Sequence, residues 1–294
     1  MRSRNDGVRI FLRVVSVLCL LGALACGVIT AWYYISTWQT EERYAQLRRE
    51  MAQTEKEQEA SAAEGETTHT LTIEEIENAE FTGIMDAPAP VIPKEVLTDA
   101  ESSPVDFDKL SEINPELYAW IRVPGTQNDY PIAQHAGEDQ AYYLHHDLYG
   151  NPQFAGCIYS EEPAAKDFSD PVTVLYGHNM KNGSMFQNLY RYLNPDVFGG
   201  EDNFIYIYTR DMTLIYEVYA VYYGDDVNIS VKYDFTDETE LSDYLEGTLS
   251  PRSMGELVRD DIPVTVDDHV LTLSTCIFGV PSQRLLVQAV LRQG

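Results

Sequence analysis

The longest uninterrupted apolar run of the chain lies close to its N-terminus. Residues 14–35 contain no charged side chain, and about 20 apolar residues in a helix are enough to span the hydrocarbon core of a bilayer. A cleaved signal peptide has a shorter apolar region of about 7–15 residues. Arginines precede the run, whereas Glu41 and Glu42 follow it, an asymmetry that favours an N-terminus inside the cell. The pattern predicts a single-pass transmembrane signal-anchor over 14–35, a cytoplasmic segment at 1–13 and an extracytoplasmic remainder.

Polar and charged positions dominate residues 36–104. The part from 41 to 66 carries many charges and few apolar residues, and it shows no evident heptad repeat of apolar positions. This part predicts a polar helical stalk. The part from 67 to 104 is acidic and rich in proline, which predicts a linker.

From residue 105 onward the pattern changes to short apolar runs that are rich in tyrosine, valine and isoleucine and are separated by turns. Such runs predict β-strands. One stretch, 236–250, instead has helical spacing and begins with Asp237-x-x-Glu240. The pattern predicts a mostly β domain over 105–294 with added helices, closed as a barrel. The main predicted strands cover residues 119–125, 170–178, 203–209, 213–223, 270–276 and 284–291.

Charge and cysteine content narrow the class of protein. The formal net charge is −27, with 47 acidic and 20 basic residues, which argues against a nucleic-acid-binding protein. The four cysteines show neither a disulfide framework nor paired zinc spacing. Cys19 and Cys26 lie within the predicted membrane helix. The remaining two are Cys157, whose surroundings predict a buried free thiol, and Cys276; a disulfide between them is the alternative outside the membrane.

Cys276 is the candidate nucleophile because of its place in a strand. Side chains alternate across a strand, so Cys276 shares a face with Thr272 and Ser274, whereas Leu271 and Leu273 occupy the other face. A thiol at a strand end on the polar face can line a pocket. The alternative is an inert, half-buried cysteine, because free cysteine is among the most buried residue types.

A nucleophilic thiol needs a proton carrier and a group that stabilises the developing oxyanion. His178 follows Gly177 at the end of a predicted strand, which places it at a rim, whereas His135 and His269 lie in polar turns. Arg284 opens the last predicted strand, across a predicted seven-residue loop from Cys276. Alternation does not settle which face Arg284 occupies, and a solvated surface arginine is the alternative.

A metal site is the other chemistry that the sequence suggests. His145, His146 and Asp147 are consecutive, but adjacent histidines point apart and no further cluster of ligand types is near in sequence. We therefore predict no metal and no cofactor.

Several stretches together resemble the sortases, which are membrane-anchored cysteine transpeptidases of Gram-positive bacteria. They are "YGHNM" around His178, "TLSTC" ending at Cys276 and the arginine eight positions later. Longer stretches resemble class B sortases over about residues 107–291, namely 113–134, 142–150, 174–192 and 271–276. The resemblance implies an eight-stranded barrel with added helices and a catalytic set of His178, Cys276 and Arg284. Ser274 and Thr275 are expected to line the acyl pocket. Cys157 departs from the pattern, since a small polar residue is expected at that position.

The resemblance also implies a reaction and its partners. The enzyme would cleave the C-terminal sorting signal of a secreted surface protein and transfer the acyl group to an amine of a peptidoglycan precursor. The predicted helix would tether it to the cell membrane. The alternatives are a pilus-type polymerising sortase with a pilin amine as acceptor, an extracytoplasmic cysteine protease with water as acceptor, and a non-catalytic, membrane-tethered binding module.

Overall fold

The computed structural model describes residues 2–65, 103–200, 203–250 and 255–293. Most of the predicted linker at 67–104 lies outside the described residues, so it stays a prediction. The described helices are α1 Arg2–Gly65, α2 Phe107–Ile113, α3 Pro195–Phe198, α4 Ile229–Lys232 and α5 Glu238–Thr248, with 3₁₀ turns at Tyr142–Leu144 and Phe186–Leu193. The strands are β1 Leu117–Arg122, β2 Asp129–Gln134, β3 Ile158–Ser160, β4 Val172–Tyr176, β5 Phe204–Thr209, β6 Thr213–Asp225, β7 Leu257–Val258, β8 Val270–Ile277 and β9 Val280–Gln293.

Eight of the strands close into a barrel. Their order is β5-β1-β2-β3-β4-β8-β9-β6, and β6 pairs back with β5 to complete the ring. The two-residue strand β7 adds to the side of β6. Most pairs are antiparallel, but β2–β3 and β4–β8 are parallel. The structure confirms the predicted eight-stranded barrel, and the predicted strands at 203–209 and 213–223 form a hairpin, β5–β6.

The residues of β8 and β9 divide between two hydrophobic clusters according to strand alternation. Leu271 and Leu273 belong to the main cluster, which fills the barrel. Val270 and Val290 belong to a second cluster, which packs beneath α5. The side chain of Asp237 caps α5 by accepting from two backbone N–H groups of its first turn, as the Asp-x-x-Glu pattern predicted. The face of β8 that carries Cys276 is therefore the face that α5 covers further along the strand.

The connection between β8 and β9 differs from the predicted seven-residue loop, and that prediction is wrong. The strands form a hairpin in which Ile277 pairs with Val280. Gly279 occupies the turn with a φ of 76°, a left-handed conformation that glycine adopts without a steric penalty. A register shift beside Ile277 then leaves residues 281–283 outside the β8 ladder. These residues lie along the end of β6 instead, where the Asp226 N–H donates to the Ser282 carbonyl at 2.9 Å.

Helix α1 combines an exposed apolar part with a part that packs on the barrel. It is long and apolar enough to cross a membrane, and its apolar side chains between residues 11 and 35 are exposed except for the half-buried Tyr33. Beyond that part, one stripe of the helix is buried at positions three and four residues apart. The stripe consists of Thr37, Thr40, Tyr44, Leu47 and Met51.

The stripe is the buried face of one helix, and its three apolar members within 41–66, Tyr44, Leu47 and Met51, are too few to form a heptad repeat. Two of its five positions are threonines and charged residues surround the others, which hides the pattern from a search for apolar repeats. The stripe packs on the barrel itself. Tyr44 donates to the Gly156 carbonyl at 2.9 Å, and its ring lies edge-on to Tyr130 with centroids 5.2 Å apart.

Candidate active site

Cys276 and Arg284 are direct neighbours across the β8–β9 ladder. Their Cα atoms pair in the antiparallel register, and residues that lie opposite each other in such a pair project from the same face. The register therefore places Arg284 on the face of Cys276, which strand alternation alone left open. The Cys276 side chain is neither fully buried nor fully exposed.

A cleft of about 210 Å³ opens beside this pair. Strand β3, the end of β4, the end of β8 and the residues just after β6 form its walls. The two carboxyl side chains that line it are Glu161 and Asp226, and burial raises the pKa of Glu161. Aromatic walls are formed by Tyr159 and Tyr176. The cleft is thus mixed in character, with aromatic walls and with charged side chains of both signs, since Arg284 lines it as well.

The segment that carries His178 is fastened to β8 at three points. The Gly177 N–H donates to the Ser274 carbonyl at 3.2 Å. In return, the Thr275 hydroxyl donates to the Gly177 carbonyl at 2.8 Å. On the other side of His178, the Asn179 amide donates to the Cys276 carbonyl at 2.9 Å. These bonds lie in sequence on either side of His178 and hold its backbone beside the end of β8.

Glycine at position 177 is required by this close approach. A Cβ atom there would lie 2.5 Å from Ile158 Cδ1 and 2.8 Å from Phe186 Cδ2. Both neighbours are fully buried and cannot move aside without disturbing the core.

The hydrogen bonds of His178 define its protonation. Its Nε2 lies 2.9 Å from the Leu144 carbonyl oxygen. A carbonyl can only accept a hydrogen bond, so Nε2 carries the proton and Nδ1 is the nitrogen left to exchange one. Burial lowers the pKa of His178, the bond to Leu144 opposes this, and the charges of His145 and Arg284 lower the pKa further. The Phe154 ring stacks on the imidazole with centroids 5.2 Å apart.

Arg284 is held by backbone and by a carboxylate. Its Nη1 donates to the carbonyls of Pro281 and Gln283 at 3.1 and 3.0 Å. Its Nη2 lies 2.7 Å from Asp226 Oδ1. A guanidinium has five N–H donors, and the two backbone carbonyls take both donors of Nη1. The donors of Nε and Nη2 are not bonded to these carbonyls, and Arg284 lines the cleft.

The two predicted pocket residues differ in their surroundings. Ser274 shares the face of Cys276, and both Ser274 and Thr275 line the cleft. The Thr275 hydroxyl is already bonded to Gly177, so in this structure it supports the histidine segment. A contact of either residue with substrate stays a prediction.

The remaining candidate residues lie apart from this cleft or have other partners. Cys157 and Cys276 are both free thiols, so the alternative disulfide is not formed. Cys157 is buried, and burial raises the pKa of its thiol to about 12. Asp147 pairs with Arg43 at 3.0 Å, and His146 bonds to the Tyr142 carbonyl at 2.8 Å. No group of three potential ligands suited to a metal occurs within the part of the chain that the structure describes.

Sequence reasoning missed at least four side chains that touch the candidate residues, and one of them is Tyr190, whose hydroxyl donates to the Cys276 carbonyl at 3.1 Å. Asn179 was visible only as part of the "YGHNM" stretch. Asp226 lies three residues beyond the end of the predicted strand 213–223, in a predicted loop, and loops commonly carry functional residues, but its partner is distant in sequence. Phe154 gave no local signal, because an exposed phenylalanine in a loop is common.

The chain has clear relatives among known proteins. The family model for the Sortase domain matches residues 121–292, which is more than half of the chain. Sortase B of Listeria monocytogenes is 30% identical over 202 residues, which cover 68% of this chain and 79% of that protein. Sortase B of Staphylococcus aureus is 26% identical over 185 residues, which cover 62% of this chain and 73% of that protein.

Solved structures agree with the sequence matches. The structure of Clostridium perfringens sortase B is 27% identical with a TM-score of 0.57, and the match covers 64% of this chain and all of that one. Sortase B of Bacillus anthracis in complex with AAEK1 is 33% identical with a TM-score of 0.55, over 64% of this chain and 84% of that one. The chain belongs to the sortase family, and its likeness in sequence and fold to sortase B proteins makes it a class B sortase, a cysteine transpeptidase.

Proposed function

We propose that this sortase uses Cys276 as the nucleophile, His178 as the proton carrier and Arg284 as the oxyanion donor. Its proposed reaction cleaves the C-terminal sorting signal of a secreted surface protein and transfers the acyl group to an amine of a peptidoglycan precursor. The observation that carries the proposal is the cross-strand pairing of Cys276 with Arg284 on one face, beside a histidine segment bonded to the Cys276 carbonyl.

In the first half-reaction, His178 Nδ1 accepts the proton of the Cys276 thiol, and the thiolate attacks the scissile carbonyl carbon of the sorting signal. The carbonyl π electrons move to oxygen, and N–H donors of Arg284 stabilise that oxyanion. When the tetrahedral intermediate collapses, the C–N bond breaks and the leaving amine takes the proton from His178. The product is a thioester on Cys276.

In the second half-reaction, the acceptor amine attacks the thioester carbonyl and loses a proton to His178 Nδ1. The C–S bond then breaks, a new amide is formed, and the thiolate recovers its proton from the imidazolium. Cysteine suits this scheme because its thiolate is both a strong nucleophile and a good leaving group. In this proposal the acyl part of the substrate lies in the cleft beside Ser274 and Thr275, both of which line it.

We also propose the topology that the sequence predicts, with residues 1–13 in the cytoplasm and the barrel outside. The exposed apolar part of α1 supports a membrane span. This topology puts the cleft on the side of the membrane where secreted proteins and wall precursors meet.

The test uses the full chain in lipid nanodiscs and peptides that represent C-terminal sorting signals of surface proteins. Hydroxylamine serves as a simple amine that converts a thioester into a hydroxamate. We expect mass spectrometry to detect an acyl adduct on Cys276 and a hydroxamate product. Cys276→Ala should abolish both, and His178→Ala should abolish turnover. Cys157→Ala is the matched cysteine control and should retain the reaction.

Three results would contradict the proposal. Cleavage by Cys276→Ala would remove the nucleophile assignment. Equal amounts of hydrolysed product with and without hydroxylamine or a peptidoglycan-precursor amine would favour a cysteine protease that uses water. Transfer to a pilin lysine in preference to the wall precursor would instead favour a polymerising sortase.

A further inference from the structure

One segment of the chain, residues 142–157, holds the His178 ring in two ways. The carbonyl of Leu144 accepts the bond from His178 Nε2 at 2.9 Å. The Phe154 ring stacks on the imidazole at an interplanar angle of 15°. The hydrogen bond fixes one edge of the ring, and the stacked phenylalanine restricts its tilt. The orientation of the His178 ring, and with it the direction in which Nδ1 points, is fixed only while both contacts are present.

Helix α1 in turn braces this segment. The Gln153 side chain donates to the Ser36 carbonyl at 3.0 Å and also bonds to the Thr40 hydroxyl. The Tyr33 ring lies edge-on to Phe154, with centroids 5.4 Å apart and an interplanar angle of 67°. The contacts therefore run without a gap from the end of the predicted membrane span to the imidazole.

Phe154 needs the support of α1 because its side chain is exposed. Phe154 is 49% exposed, so the barrel core does not enclose it, and its position depends on Tyr33 on one side and His178 on the other. An unsupported exposed side chain populates several rotamers. A misplacement of about 1 Å in a reacting group can cost about 10²-fold in rate, so the support has catalytic consequences.

We propose that Phe154 is a positioning residue for His178, and that α1 holds Phe154 in place. The helix that bears the predicted membrane anchor would then be part of the support of the active-site imidazole. This inference rests on the role given to His178 in the proposed function. Phe154 itself touches neither substrate nor reacting atoms.

The pKa of His178 provides a readout that does not depend on turnover. Burial is the main cause that lowers it, and loss of the stacked ring would admit water to one face of the imidazole. The charged groups that act on His178 are His145 from its own supporting segment and Arg284 from β9, and the titratable Cys276 of β8 lies opposite Arg284. None of these is changed by a substitution at Phe154 or Tyr33.

The experiment titrates ¹³C-labelled histidine in the full chain in nanodiscs, with the His178 signal assigned by its loss in His178→Gln. Phe154→Ala and Tyr33→Ala should both raise the pKa of His178 towards its ordinary value. Their kcat should fall roughly 3- to 10-fold, the range that one aromatic pair supplies, while KM changes little. Phe154→Tyr and Tyr33→Phe keep the rings and should resemble the unmodified chain.

Tyr149→Ala is the matched control, because Tyr149 is a similarly exposed aromatic residue of the same segment that contacts α1 through Arg43. It should leave both the pKa of His178 and kcat unchanged.

An unchanged pKa of His178 and an unchanged kcat in folded Phe154→Ala would overturn the positioning role. If Phe154→Ala changes the pKa of His178 and kcat but Tyr33→Ala does not, α1 does not hold Phe154 in place. If Tyr149→Ala changes both quantities as much as Phe154→Ala does, the effect is unspecific. If instead His178→Ala retains turnover, the proposed function fails while the pKa comparison still decides this inference.

Discussion

Arg284 and Asp226 form an ion pair in which Nη2 and Oδ1 lie 2.7 Å apart. Asp226 follows directly after β6, and its backbone N–H is bonded to the Ser282 carbonyl of β9. The carboxylate is therefore fixed to the same strand that carries the guanidinium. The Arg284 guanidinium also donates to the backbone carbonyls of residues 281 and 283. These contacts and the ion pair orient the guanidinium in the absence of substrate.

Arg284→Lys should lose most of the activity although it keeps the charge. Lysine is a point charge on a flexible stem, and it cannot satisfy two backbone carbonyls, a carboxylate and an oxyanion as a planar fork does. Loss of an oxyanion donor costs about 10²–10³ in kcat in other enzymes, and we expect a loss of that order. The measurement is kcat/KM across pH for Arg284→Lys and Arg284→Ala.

The two variants separate the possible roles of this arginine. If Arg284 acted only by its charge on neighbouring pKa values, lysine would restore most of the rate and the pH profile would move. If Arg284→Ala kept full activity, Arg284 would have no place in the reaction.

Asp226→Asn should cause a smaller loss than any change of Arg284. Asp226 is 46% exposed at its side chain, and partly exposed ion pairs contribute about 0–1 kcal/mol. The guanidinium would remain but would be held less firmly, so we expect kcat to fall up to about 5-fold. Salt screens such a pair, so increasing ionic strength should slow the unmodified enzyme towards the variant. An Asp226→Asn enzyme with unchanged kcat at low salt would contradict this account.

The sequence of β8 alone predicted which of its side chains share a face. It did not predict which residues of β9 lie opposite them. Alternation alone predicted that Cys276 shares a face with Thr272 and Ser274. The partner of Cys276 depends on the turn at Gly279 and on the register shift beside it, and neither follows from a hydrophobic pattern. For the same reason the predicted loop was too long.

The nearness of His178 to Cys276 was beyond local prediction as well. It arises because β4 and β8 pair in parallel, a contact between distant parts of the chain, and only the resemblance to sortases implied it. The packing of α1 was missed for a different reason. Its buried stripe uses threonine where a core helix commonly has leucine, so the total apolar content of the segment remained low.

Cys157 should be chemically inert while the fold persists. It is 2% exposed, and with a pKa raised to about 12 by burial its thiol stays protonated at neutral and mildly alkaline pH. The thiolate is the reactive form, so a charged, membrane-impermeant methanethiosulfonate reagent at pH 8 should modify Cys276 and leave Cys157 unmodified. Peptide mapping by mass spectrometry is the measurement. Denatured protein, in which both thiols react, is the control, and rapid labelling of Cys157 in folded protein would contradict its burial.

Tyr44 tests whether α1 is an integral part of the barrel's core. Its side chain is 1% exposed, its hydroxyl donates to Gly156, and its ring meets Tyr130. Truncation of a buried aromatic residue to alanine costs about 3–5 kcal/mol, so Tyr44→Ala should lower the free energy of unfolding by about that amount. Tyr44→Phe keeps the ring and loses one hydrogen bond, and should cost about 0.5–1.5 kcal/mol.

The measurement is guanidinium unfolding of the full chain in detergent, followed by near-ultraviolet circular dichroism of the barrel aromatics. Gln39→Ala is the matched control, since Gln39 lies on the exposed side of the same helix and its loss should leave the midpoint almost unchanged. A Tyr44→Ala midpoint equal to that of Gln39→Ala would mean that the barrel folds without help from α1. The expected large difference would mean that the helix bearing the predicted membrane anchor is a structural element of the barrel domain, and that removing the whole helix takes away part of the core.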